Sequence, residues 1–149
     1  MFDDFLREYP DVESLVKADP KEIISKYRQL GLPKRIYWLV ESMKIIVEKH
    51  DGKIPSNKNE LLQLPGIGEY TSSAILCFAF NQKVEIMDSN VLRIFTCYYG
   101  IPKNKIKNKA RSILPLYNWK NYNEALLDFS AVVCKKKHYC EKCPLSIEK

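Results

Sequence analysis

Two glycines separated by a single residue, Gly66 and Gly68, follow a proline and lead directly into an apolar segment of helical pattern. A turn this tight between two helices needs glycine either where φ is positive or where another backbone must come close. We expect Ile67, between the glycines, to point inward and lock the turn. The backbone N–H groups left unpaired at the start of the following helix suit a phosphate. The pattern therefore predicts either a phosphate-binding hairpin or a helix–helix corner without a ligand.

The remainder of the sequence is predicted to be helical, because apolar residues recur at steps of three and four between capping signals. Helices are expected over residues 12–18, 20–30, 34–50, 58–64, 70–80, 90–99, 104–114 and 122–133, with N-caps at Asp11, Asp19 and Asn57. Only the segment 83–87 alternates as a strand does, and without a partner strand it is better interpreted as an extended connection. The predicted fold class is all-α.

Composition and charge limit the class of protein further. The 149 residues are enough for one domain with a real core. A formal net charge of +6 and a pI near 9.0 make a polyanion a candidate partner, although a lysine-rich surface also serves solubility alone. No apolar run reaches the roughly 18 residues of a membrane span, and residues 1–4 lack the basic start of a signal peptide. We therefore expect a cytoplasmic protein that contacts no membrane.

A second candidate site lies at Asp88, which follows the apolar pair Ile86 and Met87 and immediately precedes a predicted helix. Its carboxylate is expected to be partly desolvated and to be held in one orientation at the N-terminus of that helix. Such a carboxylate can act in catalysis. An aspartate at a helix start is also a common N-cap, and the residues alone leave both roles open.

The stretch LPGIGEYTSSAILCFAF at 64–80, followed by IMDSNVLRI at 86–94, resembles the helix-hairpin-helix (HhH-GPD) DNA glycosylases of the endonuclease III superfamily. The resemblance extends over nearly the whole chain, from the early helices to the terminal cysteines. It implies a helical bundle of two lobes with a central cleft. The implied organisation is a single domain over 1–149, with a six-helix lobe at about 25–110 that contains the hairpin 64–70, and a partial cluster lobe from 1–24 and 111–149.

The same resemblance implies an activity and its residues. Related enzymes flip a damaged or mispaired base into the cleft and cut its N-glycosidic bond, so double-stranded DNA carrying such a base is the implied partner. Asp88 is implied as the catalytic carboxylate, since a fixed negative charge stabilises the positive charge that develops on the sugar. The residues implied in DNA binding are Gly66, Ile67, Gly68, Glu69, Thr71, Asn90, Lys135, Lys136 and Gln29, of which the last lies where related enzymes fill the gap left by the flipped base.

Position 70 narrows the implied subfamily. Members that also cleave the DNA strand carry a lysine there, whose amine forms a Schiff base with the sugar. Tyr70 cannot form that imine, so the resemblance implies a monofunctional glycosylase of base excision repair with Tyr70 in the catalytic pocket. Residues 30–35 and 128–134 resemble the thymine mismatch enzymes, which favours thymine or uracil opposite guanine as the substrate. An adenine glycosylase acting on A:oxoguanine or A:G mispairs is the alternative.

The five cysteines fall into two groups. Cys77 and Cys97 lie within apolar helical stretches and are expected in the core. The other three, Cys134, Cys140 and Cys143, resemble the family loop in which four thiolates hold a [4Fe-4S] cluster. Lys149 stands where the fourth cysteine is expected, so an incomplete metal site is expected rather than a working cluster. A cluster held by three thiolates and another ligand, or a truncated chain, stays open.

The start of the sequence departs from the family as well. Related enzymes have further residues before Phe2, which form a first helix and line the base pocket, and this sequence lacks them. The expected protein is a monomer associated with the nucleoid. Two alternatives to an active enzyme stay open. One is a non-catalytic DNA-binding remnant that keeps the hairpin and the basic surface, and the other is a metal-cluster or interaction protein in which the hairpin is only a corner.

Overall fold

The computed structural model describes residues 2–31, 33–134 and 143–146. Its α-helices are α1 (Phe2–Glu8), α2 (Val12–Lys17), α3 (Pro20–Lys26), α4 (Pro33–His50), α5 (Lys58–Leu61), α6 (Glu69–Ala74), α7 (Ser89–Tyr99), α8 (Lys103–Ile113) and α9 (Trp119–Val132). Two 3₁₀ turns at Arg28–Leu30 and Pro144–Ser146 and a π-helical turn at Ile75–Ala79 complete the described secondary structure. No strand forms within the described ranges, and residues 81–88 connect two helices without regular secondary structure. The all-α prediction is therefore confirmed.

The predicted N-caps begin three of the helices. The capping acceptors are Asp11, Asp19 and Asn57, each bonded to a backbone N–H two or three residues later at 2.8, 2.9 and 3.0 Å, respectively. Each bond satisfies one of the four N–H groups that a helix start leaves unpaired. The longest predicted helix is also confirmed, because α4 ends at His50, just before the glycine that was expected to stop it.

Two helix ends differ from the predictions, each for a local reason. α3 ends at Lys26, four residues before its predicted end, because the chain tightens there into a 3₁₀ turn. The helix predicted over 70–80 is α-helical only as far as Ala74. Beyond it the N–H of Phe80 donates to the carbonyl of Ile75 at 3.3 Å, five residues back, which is the hydrogen bond of a π-helix. Hydrophobic period alone does not distinguish these helix types.

The chain divides into two compact units, Met1–Gly68 and Glu69–Lys149. One cluster in the core of the first unit contains Phe5, Ile23, Tyr27, Ile36 and Val40. Phe5 comes from α1 and meets the ring of Tyr27 edge-on, with 5.3 Å between the ring centroids. The sequence pattern does not predict α1, because Phe5 is its one buried residue and a single apolar position carries no period. The implied lobe boundaries near residues 24 and 111 stay a prediction.

The second unit is centred on α7, which packs against both α8 and α9. One cluster in its core contains Val91, Phe95, Ile106 and Ala110, with Leu126 and Leu127 packed against them. Cys77 is buried, as predicted. Cys97 is exposed, so its prediction as a core residue is wrong. The apolar face of α7 runs through Ile94 and Phe95, and Cys97 lies nearly opposite Phe95 on the helix. In the described part of the chain, no helix has the length and apolar character that crossing a membrane requires.

Candidate active site and nucleic-acid interface

The turn at residues 64–68 is closed tightly around Gly66. The N–H of Ile67 donates to the carbonyl of Leu64 at 3.1 Å, and Ser42 on α4 donates its hydroxyl to the carbonyl of Pro65 at 3.1 Å. Gly66 has a φ of +74°, in the left-handed region that favours glycine. Ile67 is half-buried between two exposed glycines. The turn is thus held by bonds within its own unit and presents its glycine backbone to solvent.

The indole of Trp38 packs directly against this turn. A Cβ added at Gly66 would lie 2.6 Å from Cε3 and 2.9 Å from Cδ2 of Trp38, far inside van der Waals contact. Gly66 therefore serves both of the purposes expected of a hairpin glycine, because it adopts a positive φ and lets a neighbour approach closely. Lys34 lies on the ring of the same indole, with its ammonium 4.7 Å from the centroid. Sequence reasoning missed Trp38, since nothing local connects it to a turn 28 positions later.

Gly68 is exposed and serves a different purpose. Its φ is outside the left-handed region, and a Cβ added there would meet no atom within 4 Å. The fold itself therefore does not require glycine at this position. The free space above its backbone suits the close approach of another molecule, and α6 begins at the next residue.

The first turn of α6 carries three of the predicted site residues. Glu69 is exposed and pairs with Lys107 Nζ at 2.8 Å. Tyr70 is 41% exposed, so its phenol is accessible rather than packed into the core. Thr71 is half-buried. The phenol and the acid stand at the helix start, beside backbone N–H groups that have no partner within the helix.

Asp88 is the N-cap of α7 and is half-buried. Its Oδ1 accepts from the N–H groups of Asn90 at 2.9 Å and Val91 at 2.7 Å, and its Oδ2 accepts from Asn90 Nδ2 at 3.0 Å. The capping role expected as an alternative is therefore confirmed. It does not compete with catalysis, because Oδ2 carries a single donor in the structure and a carboxylate oxygen can accept more than one. The hydrogen bonds of the cap fix the orientation of the Asp88 carboxylate.

Asn90 is itself held in place by Arg93. Arg93 Nη1 donates to Asn90 Oδ1 at 2.9 Å, while its Nη2 donates to the carbonyls of Ser130 and Cys134. The side chains form a relay from Arg93 through Asn90 to Asp88. Asn90 was predicted to bind DNA, and that stays a prediction; its amide in the structure orients the carboxylate. Arg93 was missed, although its position three residues after Asn90 on a helix was a usable signal.

A buried asparagine on α9 clamps the segment that leads to Asp88. Asn123 is 2% exposed, and its Oδ1 accepts from the N–H of Ile86 at 3.2 Å while its Nδ2 donates to the carbonyl of Val84 at 3.0 Å. The amide thereby replaces the partner strand that residues 84–86 lack. No local pattern in the sequence predicts this contact, because the partners lie 37 and 39 residues apart.

The clamp gives a first prediction. Asn123→Ala leaves the buried Ile86 N–H and the part-buried Val84 carbonyl without this partner, so we expect the free energy of unfolding to fall by about 2 kcal/mol or more. Urea denaturation followed by circular dichroism measures the change. Asn121→Ala on the exposed side of α9 is the matched control and is expected to stay within about 0.5 kcal/mol of the native chain. Equal urea midpoints for the two variants would contradict the role of the clamp.

Of the other predicted residues, Gln29 is exposed and lies in the 3₁₀ turn after α3. Lys135, Lys136 and Cys140 lie outside the described residues. Cys134 and Cys143 are half-buried, and no group of three metal-ligating side chains occurs in the part of the chain that the structure describes. Two described thiols do not make a four-thiolate site, so the cluster stays a prediction.

Comparison with known protein families first identifies the motif that contains the hairpin. Residues 49–78 match the family model of the helix-hairpin-helix motif. This range contains the end of α4, all of α5, the turn around Gly66 and the start of the helix after it. The chain therefore contains a helix-hairpin-helix motif.

Relatives of known activity narrow this class. Thymine/uracil-DNA glycosylase of Methanothermobacter thermautotrophicus is 30% identical over 98% of this chain and 70% of its own length. Adenine DNA glycosylase of Buchnera aphidicola subsp. Baizongia pistaciae is 34% identical over 95% of this chain but only 42% of its own length. The solved structure of a thermostable thymine-DNA glycosylase matches with a TM-score of 0.85 at 30% identity, over 98% of this chain and 71% of that one.

The chain belongs to the helix-hairpin-helix DNA glycosylases of base excision repair. The resemblance seen in its sequence is thereby confirmed. By this membership it is a hydrolase of N-glycosidic bonds that binds DNA.

Proposed function

We propose that the chain is a monofunctional glycosylase that removes thymine or uracil mispaired with guanine in double-stranded DNA and acts as a monomer. The observation that carries this proposal is the Asp88 carboxylate, fixed at the start of α7 by three hydrogen bonds. Relatives named for thymine and uracil support the choice of base, since this chain spans about 70% of their length.

Asp88 would act mainly through its charge. Breaking the bond between base and sugar leaves positive charge on the sugar ring, and a preorganised carboxylate stabilises that charge without reorganising during the step. The relay from Arg93 through Asn90 keeps the carboxylate in one orientation. Water then takes the place of the base on the sugar, and Asp88 can orient that water.

The hairpin would hold the DNA backbone during this step. Backbone N–H groups at the start of α6 and the open space at Gly68 suit a phosphate oxygen, and such contacts position DNA without reading its sequence. Extruding a base costs a few kcal/mol, and less when the base is mispaired. Part of the selectivity for mismatches would therefore come from the DNA itself.

Tyr70 at this position predicts that no covalent protein–DNA intermediate forms. A phenol cannot form an imine with the sugar, so treatment with borohydride during the reaction is expected to trap no covalent protein–DNA complex. Gel electrophoresis of a labelled duplex measures this directly. Tyr70→Lys supplies the missing amine and serves as the positive control for trapping. A trapped complex formed by the native chain would show that another amine acts as nucleophile, and the monofunctional assignment would be wrong.

Substrate choice is tested by single-turnover base release from matched duplexes that carry G:T, G:U, A:oxoguanine, A:G or no mispair. We expect rates at G:T and G:U to exceed those at the adenine mispairs by about tenfold or more, a range that contacts to one base can supply. The 34% identity to an adenine glycosylase makes that activity the second candidate. Faster release of adenine from A:oxoguanine would establish it and reject the thymine assignment.

A further inference from the structure

Glu69 places a carboxylate at the start of α6, where a negative charge is unfavourable for binding a phosphate. It directly follows Gly68 and is the first residue of α6, and its side chain is 61% exposed. The helix dipole favours a carboxylate at this position when no ligand is bound. A phosphate brought to the same helix start would be repelled, since two unit charges about 4 Å apart interact measurably even in water.

A lysine far along the chain offsets this charge. Lys107 on α8 places its Nζ 2.8 Å from Glu69 Oε2, although the two residues are 38 positions apart. An exposed ion pair of this kind contributes little to stability. Its location beside the hairpin therefore suggests a role other than holding the fold together.

The arrangement of α8 keeps Lys107 at this location. Ile106 and Ala110 bury one side of the helix in the core of the second unit. One turn beyond Lys107, Arg111 donates to the buried carboxylate of Glu85 at 2.9 and 3.3 Å. Lys107 is thus carried by a helix that is anchored on two sides, rather than by a loose loop.

Other cations of α8 differ in their surroundings. Lys109 lies over the ring of Tyr99, with its ammonium 4.8 Å from the centroid. Lys105 is exposed and forms no ion pair with any described residue. The cationic run of α8 is therefore not a uniform phosphate-binding surface, since individual members have individual partners within the protein.

We propose that Lys107 is a positioning residue for DNA binding, which holds the Glu69 carboxylate against α8 and so keeps that charge from approaching the phosphate at the hairpin. This inference rests on the proposed function, because it assumes that the hairpin binds the DNA backbone. Lys107 acts through Glu69 and does not itself contact the phosphate. Its importance therefore depends on whether residue 69 carries a charge.

The dependence is tested by measuring the affinity for a duplex of ordinary sequence at low salt, where charge effects are largest. Lys107→Ala is expected to weaken binding about fivefold when Glu69 is present, the factor that one close unit charge produces in water. In the Glu69→Gln background the same change is expected to weaken binding less than about twofold. Lys105→Ala removes an equal charge from the same helix and is the matched control, with less than about a twofold effect in both backgrounds.

Because the Glu69–Lys107 pair is exposed, we expect the midpoint of thermal unfolding of every variant to lie within a few degrees of that of the native chain. This result supports the inference, since it separates weaker binding from loss of the fold. Equal weakening by Lys107→Ala in both backgrounds would show that the lysine attracts the phosphate through its own charge, independently of Glu69, and would overturn the inference. An effect no larger than that of Lys105→Ala would overturn it as well. Base release is measured in parallel, so that the two proposals fail separately. Loss of the affinity pattern with release intact rejects the inference alone, while the expected pattern without any release rejects the proposed chemistry alone.

Discussion

Asp88→Asn is expected to lower the single-turnover rate of base release by about 10²- to 10³-fold, while duplex binding and folding stay intact. Asparagine is as good an N-cap as aspartate, and its side-chain oxygen can still accept from the N–H groups of Asn90 and Val91. The substitution therefore keeps the cap and removes the negative charge, together with the bond that Oδ2 accepts from Asn90 Nδ2. The expected loss is confined to the chemical step, and quenched-flow or manual sampling with protein in excess over DNA measures it.

A matched control comes from another aspartate with the same structural role. Asp11 caps α2 through an equivalent bond to the N–H of Ser14 at 2.8 Å. Asp11→Asn is expected to leave the rate of base release unchanged, which separates capping from catalysis. Asp88→Ala is expected to lower the free energy of unfolding as well, because removing the cap costs about 1 kcal/mol of stability. A native rate in Asp88→Asn would show that the charge of this residue does not stabilise the transition state.

Gly66→Ala is expected to be the most damaging change in the hairpin. The added methyl group would collide with Trp38 at 2.6 Å, and alanine disfavours the φ of +74°. Overpacking of this kind costs about 1–3 kcal/mol, and the left-handed backbone adds about 1–2 kcal/mol. We expect the free energy of unfolding to fall by about 2 kcal/mol or more, measured by urea denaturation, and duplex binding to weaken with it.

Gly68→Ala provides the contrast within the same turn. A Cβ there meets nothing within 4 Å, so the free energy of unfolding is expected to change by less than about 0.5 kcal/mol. The methyl group would nevertheless stand between the backbone and an approaching phosphate. Loss of one charge-assisted hydrogen bond predicts binding about tenfold weaker. Two glycines with equal effects on stability would contradict the division of roles seen in the turn.

Local chemistry was sufficient to predict much of this molecule. The caps at Asp11, Asp19 and Asn57 depend on a side chain and an N–H only two or three residues away. The tight turn at Gly66 and the helix start at Asp88 depend on equally short stretches of chain. Such features survive in a single sequence, because the residues that make them are neighbours.

Contacts between distant residues could not be predicted in the same way. Trp38 at the hairpin, Asn123 at the clamp and Lys107 beside Glu69 each meet a partner far away in the sequence. Their residue types fit many other roles, so only the folded chain reveals the pairing. The exposure of Cys97 shows a second limit of prediction from sequence. An apolar pattern locates a helix but does not always show which face of that helix is buried.

The proposed function is tested most directly by mass spectrometry of a G:T duplex incubated with the native chain in excess. We expect free thymine and a DNA strand that has lost one base but remains unbroken, with neither product formed from the G:C duplex. An unchanged strand mass for G:T and G:U, under conditions where the duplex is bound, would contradict the proposed glycosylase. If the strands of the A:oxoguanine and A:G duplexes also kept their mass, the hairpin and Asp88 would belong to a DNA-binding protein without this chemistry.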